Sequence, residues 1–350
     1  MWNTRLNNLT KEKSVYDRLD FIYKQVYLYC SIFIIIFGVV GNVFNIILFS
    51  RRALYPNSCS FYFLTLSINN LIIMFFSCIP DIFIITYGID MKNNSTILCK
   101  IGWYYSFTVQ NFSLFCLSLA SFDRYCGSSS NAHMRRFCTM KTAQRIVLVL
   151  AMFVLFSYCH VPIFYQLDPT LNQCTIINAT YRQFLSILSG IYISHLPVFL
   201  MLVFGISTIF NVKKSRLRLI LVQPEVLIAS ATAPTHTLDN VIRIPDRVAH
   251  AAMSPQNVVS QRTHNDQQLL QMLICHVLTY IGLTIFPTVI YYIMTFSPIT
   301  EIILFFFYIS RLPYYVVFAI SFYVYVLSLR VYRKEFSKLF IELRQSLHFN

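Results

Sequence analysis

Asp123-Arg124-Tyr125 closes one long apolar stretch of this chain, Arg311 sits inside another, and Asp81 inside a third. Charge at the end of a membrane helix is cheap. An Asp-Arg pair that faces other helices is expensive, and so is a guanidinium at membrane depth; such groups find partners or mark a function. A guanidinium forks well onto a carboxylate or an amide oxygen, so Arg311 points to an acidic group, either internal or on a ligand. Asp123 next to Arg124 reads either as an interfacial pair that fixes helix depth or as a switch between two arrangements of one buried charge. Catalytic signatures are missing: there is no His-Glu-x-x-His, no Gly-x-Ser-x-Gly, no paired carboxylates within an apolar run, and no Cys/His spacing that would hold zinc. The chain is therefore not expected to be an enzyme or to hold a metal or cofactor.

The elements that must position these residues are membrane helices. Of the 350 residues 56% are hydrophobic and 12% charged, against roughly 45–50% and 25% in a soluble domain. Seven apolar runs, at about 25–50, 60–87, 99–126, 143–166, 183–210, 269–295 and 301–327, are each long enough to cross a bilayer. The formal net charge is +14, and 19 of the 28 Lys and Arg fall in loops and ends that share one side if the N-terminus is outside. That asymmetry orients the chain and reads as topology and attraction to an anionic lipid bilayer, so nucleic acid is not an expected partner. Sequons at Asn8, Asn93, Asn94 and Asn178 lie on the same outer side and are glycosylation candidates. Cys99 and Cys174 also lie outside, where an oxidising environment permits a bridge.

Residues 1–24 are polar, lack the pattern of a cleaved signal peptide, and read as an extracellular tail ahead of a first helix that acts as a signal anchor. The seven apolar runs make up a body over 25–327. Its one long loop, 211–268, opens on the basic run 213–218 and continues through Pro224, Pro234, Pro245 and Pro255 as a linker. Residues 328–350 hold a short amphipathic helix and a tail. Tyr332, Phe336, Leu339 and Phe340 share the apolar face, expected to lie on the inner membrane surface.

The order of these features resembles the rhodopsin-like G-protein-coupled receptors over about residues 25 to 345, and within them the divergent invertebrate neuropeptide (FMRFamide-type) receptors. Gly41-Asn42 resembles the signature of the family's first helix; Leu66-Ser67-Ile-Asn69-Asn70 matches that of the second, with Asn70 in place of its acid; Cys99, Trp103, Ser113 and Asp123-Arg124-Tyr125 match the third; Pro162, Pro197 and Pro287 match the fourth to sixth; and Tyr325 ends the seventh without the usual Asn-Pro. Ile285 stands where the sixth helix usually has Trp, and Gly205 where the fifth often has Tyr.

The resemblance implies an all-α fold, a seven-transmembrane helix bundle with the amphipathic helix behind it. It implies a plasma-membrane receptor with an extracellular N-terminus and cytoplasmic C-terminus, an extracellular peptide ligand, a heterotrimeric G protein, and arrestin and a receptor kinase as further partners. Asp123, Arg124, Tyr125, Pro287 and Tyr325 become the coupling residues. The outer half becomes a pocket lined by Asp81, Ser106, Phe107, Gln110, Asn111, His195, Thr288, Tyr292, Phe307, Arg311, Tyr314 and Tyr315. Ser106 replaces the Asp of amine receptors, which disfavours amine ligands. The family places helices two and seven side by side, so Arg311 either pairs with Asp81 or meets an acidic or C-terminal ligand group, and both hold if a ligand competes for the pair. The plainer reading of His195 is a satisfied core residue. Asn42, Asn70 and Ser113 form a neutral cluster where the family binds sodium through an acid, so little sodium effect is expected. Two alternatives stay open: a degenerate seven-helix receptor with weak or no coupling, and a membrane transporter.

Overall fold

The computed structural model describes residues 2–231 and 255–348, apart from Ala53, Pro56, Leu171, Ile299 and Leu329. It is all-α save for one hairpin. Helix α1 is Trp2–Phe49; α2 starts at Ser58 and runs through Tyr87; α3 is Thr96–Ser128; α4 is Met140–Ser157; α5 runs from Ala179 to Ala231; α6 is Pro255–Phe296; α7 is Glu301–Ala319, α8 Ser321–Ser328 and α9 Arg330–His348. Strands β1 (Tyr165–Asp168) and β2 (Gln173–Ile176) pair antiparallel, Tyr165 opposite Ile176.

Among the described residues six helices are long and apolar enough to cross a membrane: Asp20–Phe49, Ser58–Tyr87, Met140–Phe164, Ala179–Ser215, Gln271–Phe296 and Ile302–Ala319. The chain is a multi-pass membrane protein. Its surface has the inverted character this solvent requires, with Phe156 79% and Phe76 66% exposed. The remaining long helix, α3, is less apolar. It packs between α2 and α5 and buries Thr108, Asn111, Ser113, Ser118 and Ser121. Most of these hydroxyls and amides bond back onto their own helix: Thr108 to Tyr104 O at 2.9 Å, Asn111 to Phe107 O at 2.8 Å, Ser118 to Leu114 O at 3.1 Å, Ser121 to Leu117 O at 3.2 Å. These donors are thereby satisfied without water.

Three expectations change. α1 begins at Trp2 rather than near residue 25, because no Gly or Pro interrupts the chain before Gly38. α5 and α6 reach far into the expected linker, since Lys, Arg, Leu and Gln are good helix formers. Pro234, Pro245, Arg243 and Arg247 lie outside the described residues, as does the side chain of Asn8. In α9, Tyr332 and Phe336 turn into the bundle instead of outwards. The Tyr332 hydroxyl donates to Asn45 Oδ1 at 2.5 Å, and the Phe336 ring packs on Phe44 and Phe322 at 5.4 Å each. Phe340, 63% exposed, is left on the outer face beside Ile341. Arg51 clamps this helix, reaching Glu335 at 3.2 Å and both oxygens of Glu342 at 3.0 and 2.8 Å.

Candidate functional site

A cavity of about 320 Å³ opens at the end of the bundle that carries the hairpin. α3 contributes Trp103, Phe107 and Gln110, α6 Tyr280, Thr284, Pro287, Thr288 and Tyr291, and α7 Phe307, Ser310, Arg311 and Tyr314. α5 adds Arg182, Leu185, Ser186 and Ser189, while Tyr165 and Ile176 of the hairpin hang over the opening. The walls are aromatic, with polar groups placed singly, as in small-molecule and peptide sites. Trp103 stacks on Tyr165 at 5.0 Å and Phe107 on Tyr158 at 5.4 Å. The Tyr314 hydroxyl donates to Gln110 Oε1 at 3.1 Å and fixes that amide.

The hairpin sits there because its sequence turns and is then tied down. Asp168 Oδ1 accepts from Thr170 N at 2.8 Å, an Asx turn, and Asn172 takes φ 50°, a left-handed conformation that Asn tolerates. Cys174 is bonded to Cys99 at the start of α3. Asn93 Oδ1 accepts from Cys174 N at 2.8 Å, and Lys92 Nζ lies 4.6 Å from the Trp103 ring. A Cβ on Gly102 would come within 2.9 Å of Lys92 Cγ, so glycine is needed for this approach. Burial holds the Lys92 ammonium below its ordinary pKa, against the pull of Asp90. Asn93 is thus half-buried and structural, whereas Asn94 and Asn178 are exposed.

Of the residues expected in the pocket, Phe107, Gln110, Thr288, Phe307, Arg311 and Tyr314 line it. The others stand aside. Ser106 bonds back to Gly102 O at 2.9 Å, as helix serines do. Asn111 bonds to its own helix. His195 is exposed on the α5–α6 seam, with Nδ1 2.9 Å from Gly190 O and 3.4 Å from the Tyr292 hydroxyl. Asp81 and Tyr315 lie behind Arg311. Arg311 Nη2 is ion-paired with Asp81 Oδ2, which also accepts the Tyr315 hydroxyl at 2.6 Å. Asp81 belongs to a short α-turn, Ile79–Ile82, between two π-helical stretches, Met74–Cys78 and Phe83–Tyr87. Pro80, which has no N–H to continue the ladder, accompanies this irregularity.

At the other end of α3, Arg124 Nη2 meets Asp123 Oδ2 at 2.6 Å and Asn57 Oδ1 at 2.9 Å. The same Asn57 oxygen caps α2, accepting from Cys59 N at 3.1 Å. Cys138 Sγ donates to Asp123 O at 3.1 Å, and the Tyr125 ring stacks on Phe204. Tyr325 is fully buried, its ring 4.9 Å from Phe63 and 5.6 Å from His276. Neither the Tyr325 hydroxyl nor His276 Nδ1 finds a hydrogen-bond partner among the described residues. The family resemblance puts an acid or amide at the foot of helix six, Asp266 or Gln267, within reach of Arg124; the side chains of both lie outside the described residues.

No family model matches the chain, and no curated protein matches it in sequence.

Between the two ends runs a neutral polar chain. Asn42 Nδ2 donates to Phe318 O at 3.0 Å, Asn70 Nδ2 to Asn42 Oδ1 at 3.4 Å, Ser113 Oγ to Asn70 Oδ1 at 2.8 Å, and Asn69 Nδ2 to Ser113 Oγ at 2.7 Å. Asn42, Asn70 and Ser113 therefore meet, joined by Asn69 and without a carboxylate.

Sequence reasoning missed the hairpin residues Tyr165 and Ile176, the α5 residues around Arg182, and Asn57. A signal existed for the first. A bridge from Cys174 to the start of α3 drags its neighbours over whatever α3 lines.

Proposed function

We propose that this protein is a receptor of the rhodopsin-like G-protein-coupled class. In this reading it sits in the plasma membrane with its N-terminus outside and α3 as the seventh crossing. It binds an extracellular ligand, most simply a peptide, in the cavity under the hairpin, and activates a heterotrimeric G protein at the opposite, basic end. One observation carries the reading: a single helix, α3, lines the cavity with Trp103, Phe107 and Gln110 and bears the buried Asp123–Arg124 pair at its far end. Trp103 and Arg124 are 21 residues apart, about 30 Å along a helix. A ligand that shifts or rotates α3 or its neighbours changes the surroundings of Arg124, and a few kcal/mol of differential binding is enough to shift the population. The break between α7 and α8 at Ile320, beside the buried Ser321 and Tyr325, supplies an irregular point where the family's Asn-Pro would stand.

The weak-coupling alternative has its own support. Ile285 is 58% exposed and points away from the bundle, and a side chain at Gly205 would meet nothing within 4 Å. An aromatic switch at these positions has nothing to work against.

The test is a G-protein subunit-dissociation sensor, run across all G-protein classes in cells with proven surface expression, under a peptide library, beside Arg124→Ala. A response abolished by the substitution supports the coupled receptor; silence at full surface expression favours the uncoupled one.

A further inference from the structure

We infer that the cavity takes an aromatic or otherwise apolar ligand bearing a free carboxylate, and that it rejects amines. The inference rests on reading the cavity as a ligand site, and it adds the sign of the ligand's charge and the groups that meet it.

Among the described residues no carboxylate lines the cavity, while two guanidiniums do: Arg311 within it and Arg182 on α5, exposed. A third cation, Lys92, lies behind the Trp103 wall. The carboxylates nearest to these cations are already engaged. Asp81 is held by Arg311 and the Tyr315 hydroxyl, and Asp90 faces Lys92 at 3.8 Å. With those two pairs neutralised, Arg182 leaves the described lining one positive charge in excess, and an ammonium brought into it meets no free counter-ion.

Arg311 is set up to be shared. Asp81, which meets it at Nη2, is itself only 7% exposed, while the Arg311 side chain keeps 30% of its surface open. A guanidinium has five N–H donors in a planar fork, so the remaining donors can take a second oxygen pair. Arg182 is held by the hairpin: its Nη2 donates to Ile176 O at 2.5 Å, and both residues line the cavity. Trp103, Phe107 and Tyr291 offer flat apolar faces to the rest of the ligand. An amide in place of the carboxylate would keep the acceptor and lose the charge, which weakens each contact to a guanidinium.

The experiment is ligand-observed NMR saturation transfer on the full-length protein in phosphatidylcholine nanodiscs. The probes are phenylpropanoate, phenylpropanamide and phenylpropylamine, which share one skeleton, with N-acetylphenylalanine as a mimic of a peptide's free end. The acid is expected to bind at millimolar concentration or better, about tenfold or more above the amide, and the amine not at all. Arg182→Gln should weaken the acid about tenfold. Because Arg311→Gln alone strands Asp81, the paired change Arg311→Gln with Asp81→Asn is the second arm, with the same expected loss. Binding of N-acetylphenylalanine supports the inference and puts the charge on a peptide's end; binding of phenylpropanoate alone supports it and puts the charge on a small organic acid. Equal binding of acid and amide, preference for the amine, no binding of either acid, or retention of acid binding in both variants would overturn it. The readout needs no G protein, so a silent coupling sensor would count against the receptor reading alone.

Discussion

Two of the acid–arginine pairs among the described residues are packed in opposite ways. At the cavity end Arg311 and Asp81 come from different helices, and the arginine side chain stays 30% exposed. At the basic end Arg124 and Asp123 are neighbours in sequence, 10% and 3% exposed, with the guanidinium steadied from α2 by Asn57. Adjacent residues on a helix do not face each other, so Arg124 must curl back and needs the second helix to hold it there. The two pairs therefore respond to different events. An open pair between two helices can exchange partners with something that arrives from solvent. A closed pair can change only when the helices around it move.

Breaking the covalent strap should have the largest effect. Cys99→Ser or Cys174→Ser releases the hairpin, and removal of a native disulfide costs about 2–5 kcal/mol; surface biotinylation should fall several-fold, and an unchanged surface level would show that the cavity end stands without the bridge. Next comes Asp81→Ala, which leaves Arg311 unpaired at a cost of about 3–5 kcal/mol. The double change Asp81→Ala with Arg311→Leu should recover most of the lost melting temperature; if it does not, the pair is no unit. At the closed end, Asn57→Ala removes both a cap and a hold on Arg124, about 2–3 kcal/mol together, read by thermal unfolding. Ser113→Ala takes the donor from Asn70 Oδ1 and one of two acceptors from Asn69 Nδ2, for about 1–3 kcal/mol. Exchanging sodium for choline at equal ionic strength should leave the unfolding temperature where it was, because Asn70 brings no charge to attract the ion.

The smallest effect belongs to the exposed Arg51–Glu342 contact. The Arg51 hydrogen bond holds the Glu342 carboxyl below its ordinary value of 4.5. A depressed carboxyl contributes above its unfolded pKa and stops contributing as pH falls through the folded one. A spin-label distance from residue 52 to residue 337 should therefore broaden on acidification below about pH 4.5 and stay sharp above it. A distance unchanged by acid would mean that the buried Glu335 and Tyr332 hold α9 alone.

Much of the scaffold was legible. Apolar runs of membrane-crossing length became helices, and Cys99 and Cys174 were readable as a pair because only they lay together on the outer side. Asp81 with Arg311, and Asn42 with Asn70 and Ser113, followed from which helices adjoin. What escaped depends on rotation and on turns. His195, Tyr292 and Ile285 sit on the right helices yet face a seam or the lipid, since a small error in phase over a long helix moves a side chain out of the cavity, and α5 contains a π-helical stretch, Gly190–His195, that alters its phase. The hairpin was invisible because four-residue strands leave almost no periodic signal. Asn57 escaped because a capping residue looks like any polar loop residue until the helix it starts is seen.

Asn57 is also a mechanical part. One oxygen serves two masters, the first turn of α2 and the guanidinium of Arg124. If Arg124 swings away, the amide is free to settle fully on the helix end; if the helix end frays, the arginine loses its tether. The beginning of α2 is thus wired to the posture of Arg124, and a probe attached near residue 58 would register a movement that takes place on a different helix.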